Sequence, residues 1–236
     1  MNEMPVSSMK IRNALRASLG LAVAAALAAA LWAGYDALAR GPIEQVVFTG
    51  DAGRVARVDL ERLVMAVQGS TAEPAAVRDA AKTLAWVREA TVRHRFPNAL
   101  EVAIEAHVPA ARWGDGQLVN THGEVFSAAT DAKLPRLSGP EGSAADMLRT
   151  YSDISSSLKP ASLEVAELKL SARRAWQVVL ASGLVVELGR NDLQLRLSRF
   201  LSVLPQLEAQ VEGYAHADLR YANGIALRRP AGTKRK

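Results

Sequence analysis

Apolar and polar positions along the 236 residues change period several times, and each change marks an element. The longest uniform stretch comes first. Between Arg16 and Asp36 lie 19 residues without a charge, ASLGLAVAAALAAALWAGY. As a helix this run spans about 28 Å, close to the hydrocarbon thickness of a bilayer. Trp32 and Tyr35 stand near its C-terminal end, where aromatic rings favour the membrane–water interface. Lys10, Arg12 and Arg16 precede the run, and only Asp36 and Arg40 follow closely. The positive-inside rule then puts the N-terminus in the cytoplasm. The expected layout is a cytoplasmic tail at 1–16, a transmembrane helix at 17–36 and a linker at 37–41. A cleaved signal peptide is the rival reading, since Ala37-Leu38-Ala39 before Arg40 has the small-residue form of a cleavage site. Against it, the apolar run is longer than the usual ~7–15 residues. A mature chain starting at Arg40 would end the anchor reading. Ala22, Ala26 and Ala30 form a small-residue stripe, which so alanine-rich a segment produces by chance.

After Pro42 the pattern shortens. Ile43 to Thr49 reads as a strand, with a turn at Gly50-Asp51. Leu60, Leu63, Val64 and Val67 recur at helical spacing, with Asp59 or a neighbour as cap. Pro74 suits the first turn of a second helix over 74–85, with Val77, Ala81 and Leu84 inward. Val87 to Arg95 and Leu100 to Glu105 read as strands around a Pro97-Asn98 turn. The order strand, helix, helix, strand, strand is a small α+β unit.

A second region begins near Pro109. Short strands are expected at Gln117–Val119, Glu124–Phe126 and Leu134–Leu137. Met147, Leu148, Tyr151, Ile154 and Leu158 mark an amphipathic helix stopped by Pro160. Strands follow at 163–170, 175–181 and 184–188, the last two joined by Ser182-Gly183. Asn191 or Asp192 caps a further helix with Leu193, Leu197, Phe200, Leu201 and Leu204 inward. Tyr214–Tyr221 and Ile225–Arg228 close the region as a hairpin around Ala222-Asn223-Gly224.

Charge and composition narrow the chemistry. The net charge is +5, but residues 37–227 carry −1 while Arg228–Lys236 carry +5. A nucleic-acid domain needs a basic stripe on its folded part, so nucleic acid is not expected as a partner. There is no cysteine, which removes thiol nucleophiles, thiolate zinc sites and disulfides. His94, His107, His122 and His216 show no metal-ligand spacing. Glu105 and His107 share a strand face, which reads as a strand end before Pro109 rather than a ligand pair. No GxSxG, SxxK or phosphate-binding glycine loop occurs. Arg93-His94-Arg95 could touch phosphate, although alternation sends Arg93 and Arg95 to one solvated face. No catalytic residue, cofactor or metal is assigned, and a tethered binding scaffold remains.

Three segments sharpen this. LAWVREATVRHRFPNALEVAIEAHVPAARW, from Leu84 to Trp113, has a Trp86-Val87 pair, a basic stretch from Arg93 to Pro97, and an alternating strand. Glu105, Pro109 and Trp113 complete its pattern. Leu170–Gly189 and Ala217–Leu227 (ADLRYANGIAL) follow in order. Together they resemble the bacterial cell-division family FtsQ/DivIB over roughly the whole chain. Ala85 stands where that family commonly has proline, Phe96 where it has tryptophan, and Arg228-Arg229 where some members have tryptophan. The resemblance implies a POTRA domain at 42–109, a mostly antiparallel β domain with helices at 110–228, and a basic disordered tail at 229–236. It implies a non-enzymatic inner-membrane divisome protein, facing the periplasm at the septum. Its expected partners are FtsB and FtsL at the last strand, and other division proteins through the POTRA domain. It also implies partner-binding residues at the last hairpin and the SARRAW segment: Arg173, Arg220, Tyr221, Asn223 and Gly224. A POTRA-bearing component of protein translocation or envelope assembly is the alternative, though one such unit and no room for a barrel speak against it.

Overall fold

The computed structural model describes residues 6–39, 41–211, 213–221 and 224–230, with side chains omitted at 6–18, 36–39 and 206–211. Asn223, residues 1–5 of the tail, Arg40 of the linker and residues 231–236 of the basic tail lie outside the described residues. The chain forms two units, Met1–Ala106 and His107–Lys236.

The first unit opens with helix α1, Val6–Ala39, which extends past the uncharged run at both ends. Leu19, Leu21, Val23, Leu27, Leu31 and Trp32 on it are exposed. Among the described residues no helix is long and apolar enough to cross a membrane.

Beyond α1 the expected order holds: β1 (Gln45–Gly50), α2 (Arg57–Val67), α3 (Pro74–Lys82), β2 (Val87–Arg95) and β3 (Ala99–Ala106). The sheet order is β1-β3-β2, with β1 parallel to β3 and β2 antiparallel to it. One face is covered because α2 and α3 each bury one stripe. Leu63, Val67, Val77 and Ala81 pack on Leu100, Val102 and Ile104. Trp86 packs partly buried against the same core, sealing helices to sheet. Ala56, near Asp59, is the N-cap residue of α2, and Asp59 lies in the first turn, where it accepts a bond from Arg62. One detail differs from the sequence expectation. Helix α3 ends at Lys82, where Thr83 donates its hydroxyl to Ala80 O, so Leu84 reaches the core from the following turn.

Among the described residues the second unit is a nine-stranded sheet with two α-helices and a short 3-10 turn at Lys159–Ala161. Its strands are β4 (Pro109–Trp113), β5 (Gln117–Asn120), β6 (Val125–Phe126), β7 (Arg136–Ser138), β8 (Val165–Leu170), β9 (Trp176–Leu180), β10 (Val185–Gly189), β11 (His216–Asp218) and β12 (Ala226–Arg228). The order is β12-β11-β10-β9-β8-β7-β4-β5-β6. Most neighbours are antiparallel; β4/β7, β7/β8 and β10/β11 are parallel. Helix α4 (Ala144–Leu158) leads from β7 towards β8, and α5 (Leu193–Val211) from β10 towards β11. A parallel partner needs such a crossover. Met147, Ile154, Leu158, Leu197, Phe200 and Leu204 bury against Leu137, Leu168, Val178, Val186 and Ala217. Alternation turns Lys169, Gln177 and Glu187 to the other, half-exposed face.

Candidate interaction edge

Strand β12 ends the nine-stranded order and pairs with β11 alone. Its outer edge therefore has no strand beside it among the described residues. The strand is fixed from within: Ala215 N donates to Arg228 O at 3.0 Å, and Arg229 lies over the Tyr214 ring, 5.3 Å from its centroid. Leu227 packs partly buried on the core.

The segment leaving β11 is built by one carboxylate. Asp218 is 8% exposed. Its Oδ1 accepts the backbone N–H of Arg220 at 3.0 Å, a turn of the chain around an aspartate side chain. Arg220 Nε also donates to Oδ1 at 2.9 Å, and Nη2 donates to Oδ2 at 2.6 Å. This fork holds the Asp218 carboxyl below the usual carboxylate range, chiefly through the Arg220 side-chain bond and against the effect of burial. The same bond raises the guanidinium above its ordinary value. Two of the five arginine N–H groups are thereby taken; the side chain is still 58% exposed, so the others face solvent. The turn ends the strand at Asp218, so Tyr221, expected within a strand, lies in a bend and is 59% exposed.

Gly189 supports this fork from β10. Its φ is +76°, and a Cβ there would strike Arg196 Nη1 and lie 3.1 Å from Arg220 Cγ. Arg196 Nη1 itself donates to Leu188 O. Gly224 differs: an added Cβ would meet nothing within 4 Å, so the chain's own packing does not require glycine there. Arg173 sits in the exposed Ser171–Ala175 turn, which closes through Ser171 N to Ala175 O and Ala175 N to Ser171 Oγ. No acidic side chain pairs with Arg173 among the described residues. The registers of β9, β10 and β11 put this turn and Arg220 at the same end of the sheet. They are two strand spacings apart, about 10 Å, so the structure aligns them without joining them. Sequence reading missed Asp218 and Gly189. The i, i+2 spacing of Asp218 and Arg220 was the available signal, since such residues share a strand face.

The pair Glu105 and His107 does not act together. Glu105 binds Arg88 at 2.8 Å, while the His107 ring stacks on Phe126 and its Nδ1 lies 2.9 Å from Asn120 Nδ2. Among the described residues no group of acidic and histidine side chains could hold a metal ion.

An α+β unit followed by a large mixed sheet with a short, free terminal strand is the architecture of a POTRA-plus-β-domain protein. The family description "POTRA domain, FtsQ-type" matches residues 41–107, and "Cell division protein FtsQ/DivIB, C-terminal" matches 111–220. The chain is 38% identical over 190 residues to a cell division protein FtsQ of Nitrosospira multiformis, covering 80% of this chain and 75% of that one. It is 34% identical over 204 residues to the FtsQ of Xanthomonas campestris, covering 84% and 72%. It is 31% identical over 205 residues to the FtsQ of Escherichia coli, covering 80% and 73%. The chain belongs to the FtsQ/DivIB family of cell division proteins.

Proposed function

We propose that this chain is a non-enzymatic, single-pass inner-membrane scaffold of the divisome, which binds FtsB and FtsL and helps recruit and regulate septal peptidoglycan synthesis. The observation that carries the reading is the free outer edge of β12 beside an exposed Tyr221. A sheet edge offers unpaired N–H and C=O groups, and an incoming extended segment gains affinity by pairing with them. Tyr221 is the aromatic anchor of that contact, and Gly224 leaves room for close backbone approach. Asn223 is proposed for the same contact. Arg220 offers its solvent-facing N–H groups, and Arg173 extends the basic side of the edge towards acidic partner residues. The POTRA domain at 42–109 takes other division proteins, and the β domain at 110–228 carries the FtsB/FtsL edge.

The membrane reading rests on α1. The uncharged run from Ala17 lies inside a single continuous helix. Its exposed leucines and Trp32 have no protein cover and suit a hydrocarbon environment. Lys10, Arg12 and Arg16 hold the N-terminus in the cytoplasm, and the bulk of the chain is periplasmic at the septum.

Two experiments test the proposal. Depletion in the host should give long filaments with segregated chromosomes and no septa; normal division with a leaking envelope would refute the divisome role. In a titration of FtsB–FtsL against the full chain, Tyr221→Ala should weaken binding by about 1 kcal/mol or more, roughly fivefold, with folding intact. Unchanged affinity removes Tyr221 from the contact.

A further inference from the structure

The tip of the β2–β3 hairpin has no part in the β12 edge, yet it gathers two arginines without an ion pair among the described residues and an exposed phenylalanine. We infer that Arg93, Arg95 and Phe96 form a second membrane contact, resting on anionic phospholipid headgroups of the leaflet from which α1 emerges. The inference rests on the reading of α1 as a membrane span.

The hairpin turn is tied to the stretch of chain that leaves α1. Glu44 N and Gln45 N both donate to Asn98 O, at 2.8 and 3.4 Å. Asn98 Nδ2 donates to Glu44 Oε1 at 3.2 Å. Gly41, just past the end of α1 at Ala39, packs so closely that a Cβ would lie 3.0 Å from Asn98 Oδ1. The Tyr35 ring of α1 stacks on Phe96, with centroids 6.2 Å apart and planes 9° from parallel. Tyr35 closes the uncharged run, where aromatic side chains settle at the interface. Phe96 therefore stands at headgroup depth.

Phe96 is 63% exposed and serves no core. Arg93, His94 and Arg95 are exposed, and neither arginine forms an ion pair among the described residues. The nearest acids by register and contact are Glu101, opposite Arg93, and Glu44, held by Asn98. Arg93 and Arg95 share one face of β2, so both guanidinium groups meet the same surface. A guanidinium matches the geometry of a phosphodiester, and a neighbouring aromatic ring adds burial at the boundary between headgroups and acyl chains. The effect would be mechanical: with α1 as one support and the tip as another, the first unit keeps a fixed orientation to the bilayer.

The chain has no cysteine, so a single label reports one site. Full-length protein carrying His94→Cys at the tip, Gly53→Cys beyond the far end of β1, or Ala26→Cys within α1 is labelled with an environment-sensitive fluorophore. It is placed in nanodiscs of phosphatidylcholine alone or mixed with phosphatidylglycerol. Headgroup-spin-labelled lipid should quench the tip label at least about twofold more than the Gly53→Cys label in the mixed discs, given the attraction of basic groups to anionic leaflets. Adding Arg93→Gln and Arg95→Gln, or omitting phosphatidylglycerol, should bring the tip down to the Gly53→Cys level. A tip no more quenched than Gly53→Cys, with Ala26→Cys quenched by acyl-chain spin labels, overturns the inference and leaves the span standing. Equal tip quenching in both lipid compositions overturns the headgroup contact. An Ala26→Cys label that acyl-chain probes do not reach overturns the span, and the inference falls with it.

Discussion

Replacing Asp218 by asparagine isolates the charge that organises the segment after β11. The volume is kept, and the amide oxygen still accepts the Arg220 backbone N–H. What goes is the charge behind the 2.9 Å Nε bond and the whole 2.6 Å bond from Nη2, because the NH2 group that replaces Oδ2 cannot accept it. Hydrogen bonds to charged groups contribute about 1.5–3 kcal/mol each, but Arg220 is more than half exposed and water takes its place readily. The expected loss is therefore about 1–1.5 kcal/mol, or about tenfold in local opening. Hydrogen–deuterium exchange of the peptide spanning 214–228 reads this directly, as protection factors corrected for intrinsic rates. The difference must also depend on pH. The folded-state pKa of Asp218 lies below its ordinary value, so its stabilisation is complete above about pH 4 and is lost as pH falls through the folded pKa. Wild type and Asp218→Asn should differ at pH 7 and converge in acid. Equal protection at pH 7, or a gap that persists unchanged to the lowest pH at which the protein stays folded, would refute the assigned role of the carboxylate.

Gly189→Ala meets both a φ of +76° and the Arg196 and Arg220 side chains, and should destabilise the second unit by about 1–3 kcal/mol in denaturant titration. Gly224→Ala meets open space in this chain; it should leave that titration unchanged while weakening FtsB–FtsL binding. Phe200→Ala removes one of the largest fully buried side chains and should cost about 3–5 kcal/mol, read as a lowered unfolding midpoint.

The elements with one buried stripe were legible in the sequence. Val77 and Ala81, Met147 and Ile154, and Leu197 and Phe200 repeat at helical spacing, and all six are buried. Strand β4 was not legible, because Pro109-Ala-Ala-Arg-Trp113 has no alternation and is held by its neighbours β5 and β7. The parallel joins were not legible either: β7 meets β8, and β10 meets β11, across whole helices, and nothing local records which strands will be adjacent. The last hairpin shows a different failure. Its expected first strand, 214–221, obeys a strand pattern, yet the Asp218 side chain competes for the Arg220 N–H and turns the chain. Local side-chain chemistry there overrides periodicity and brings Tyr221 into solvent.

That override bears on how a free edge can exist without promiscuous pairing. Sheet edges invite unspecific strand addition, and proteins limit the hazard with short edge strands and charged residues. Strand β12 has three residues, Ala226–Arg228, and Arg228 with Arg229 adds positive charge at its end. An uncharged strand gains few backbone bonds from so short a template and must desolvate the arginines to make them. A partner that also seats a side chain on Tyr221 and carries acidic residues for the arginines recovers that cost. On the proposed edge-addition reading, the short strand and the turn act together: the backbone edge supplies a place to add, and the turn around Asp218, which leaves Tyr221 exposed, selects which strand is worth adding.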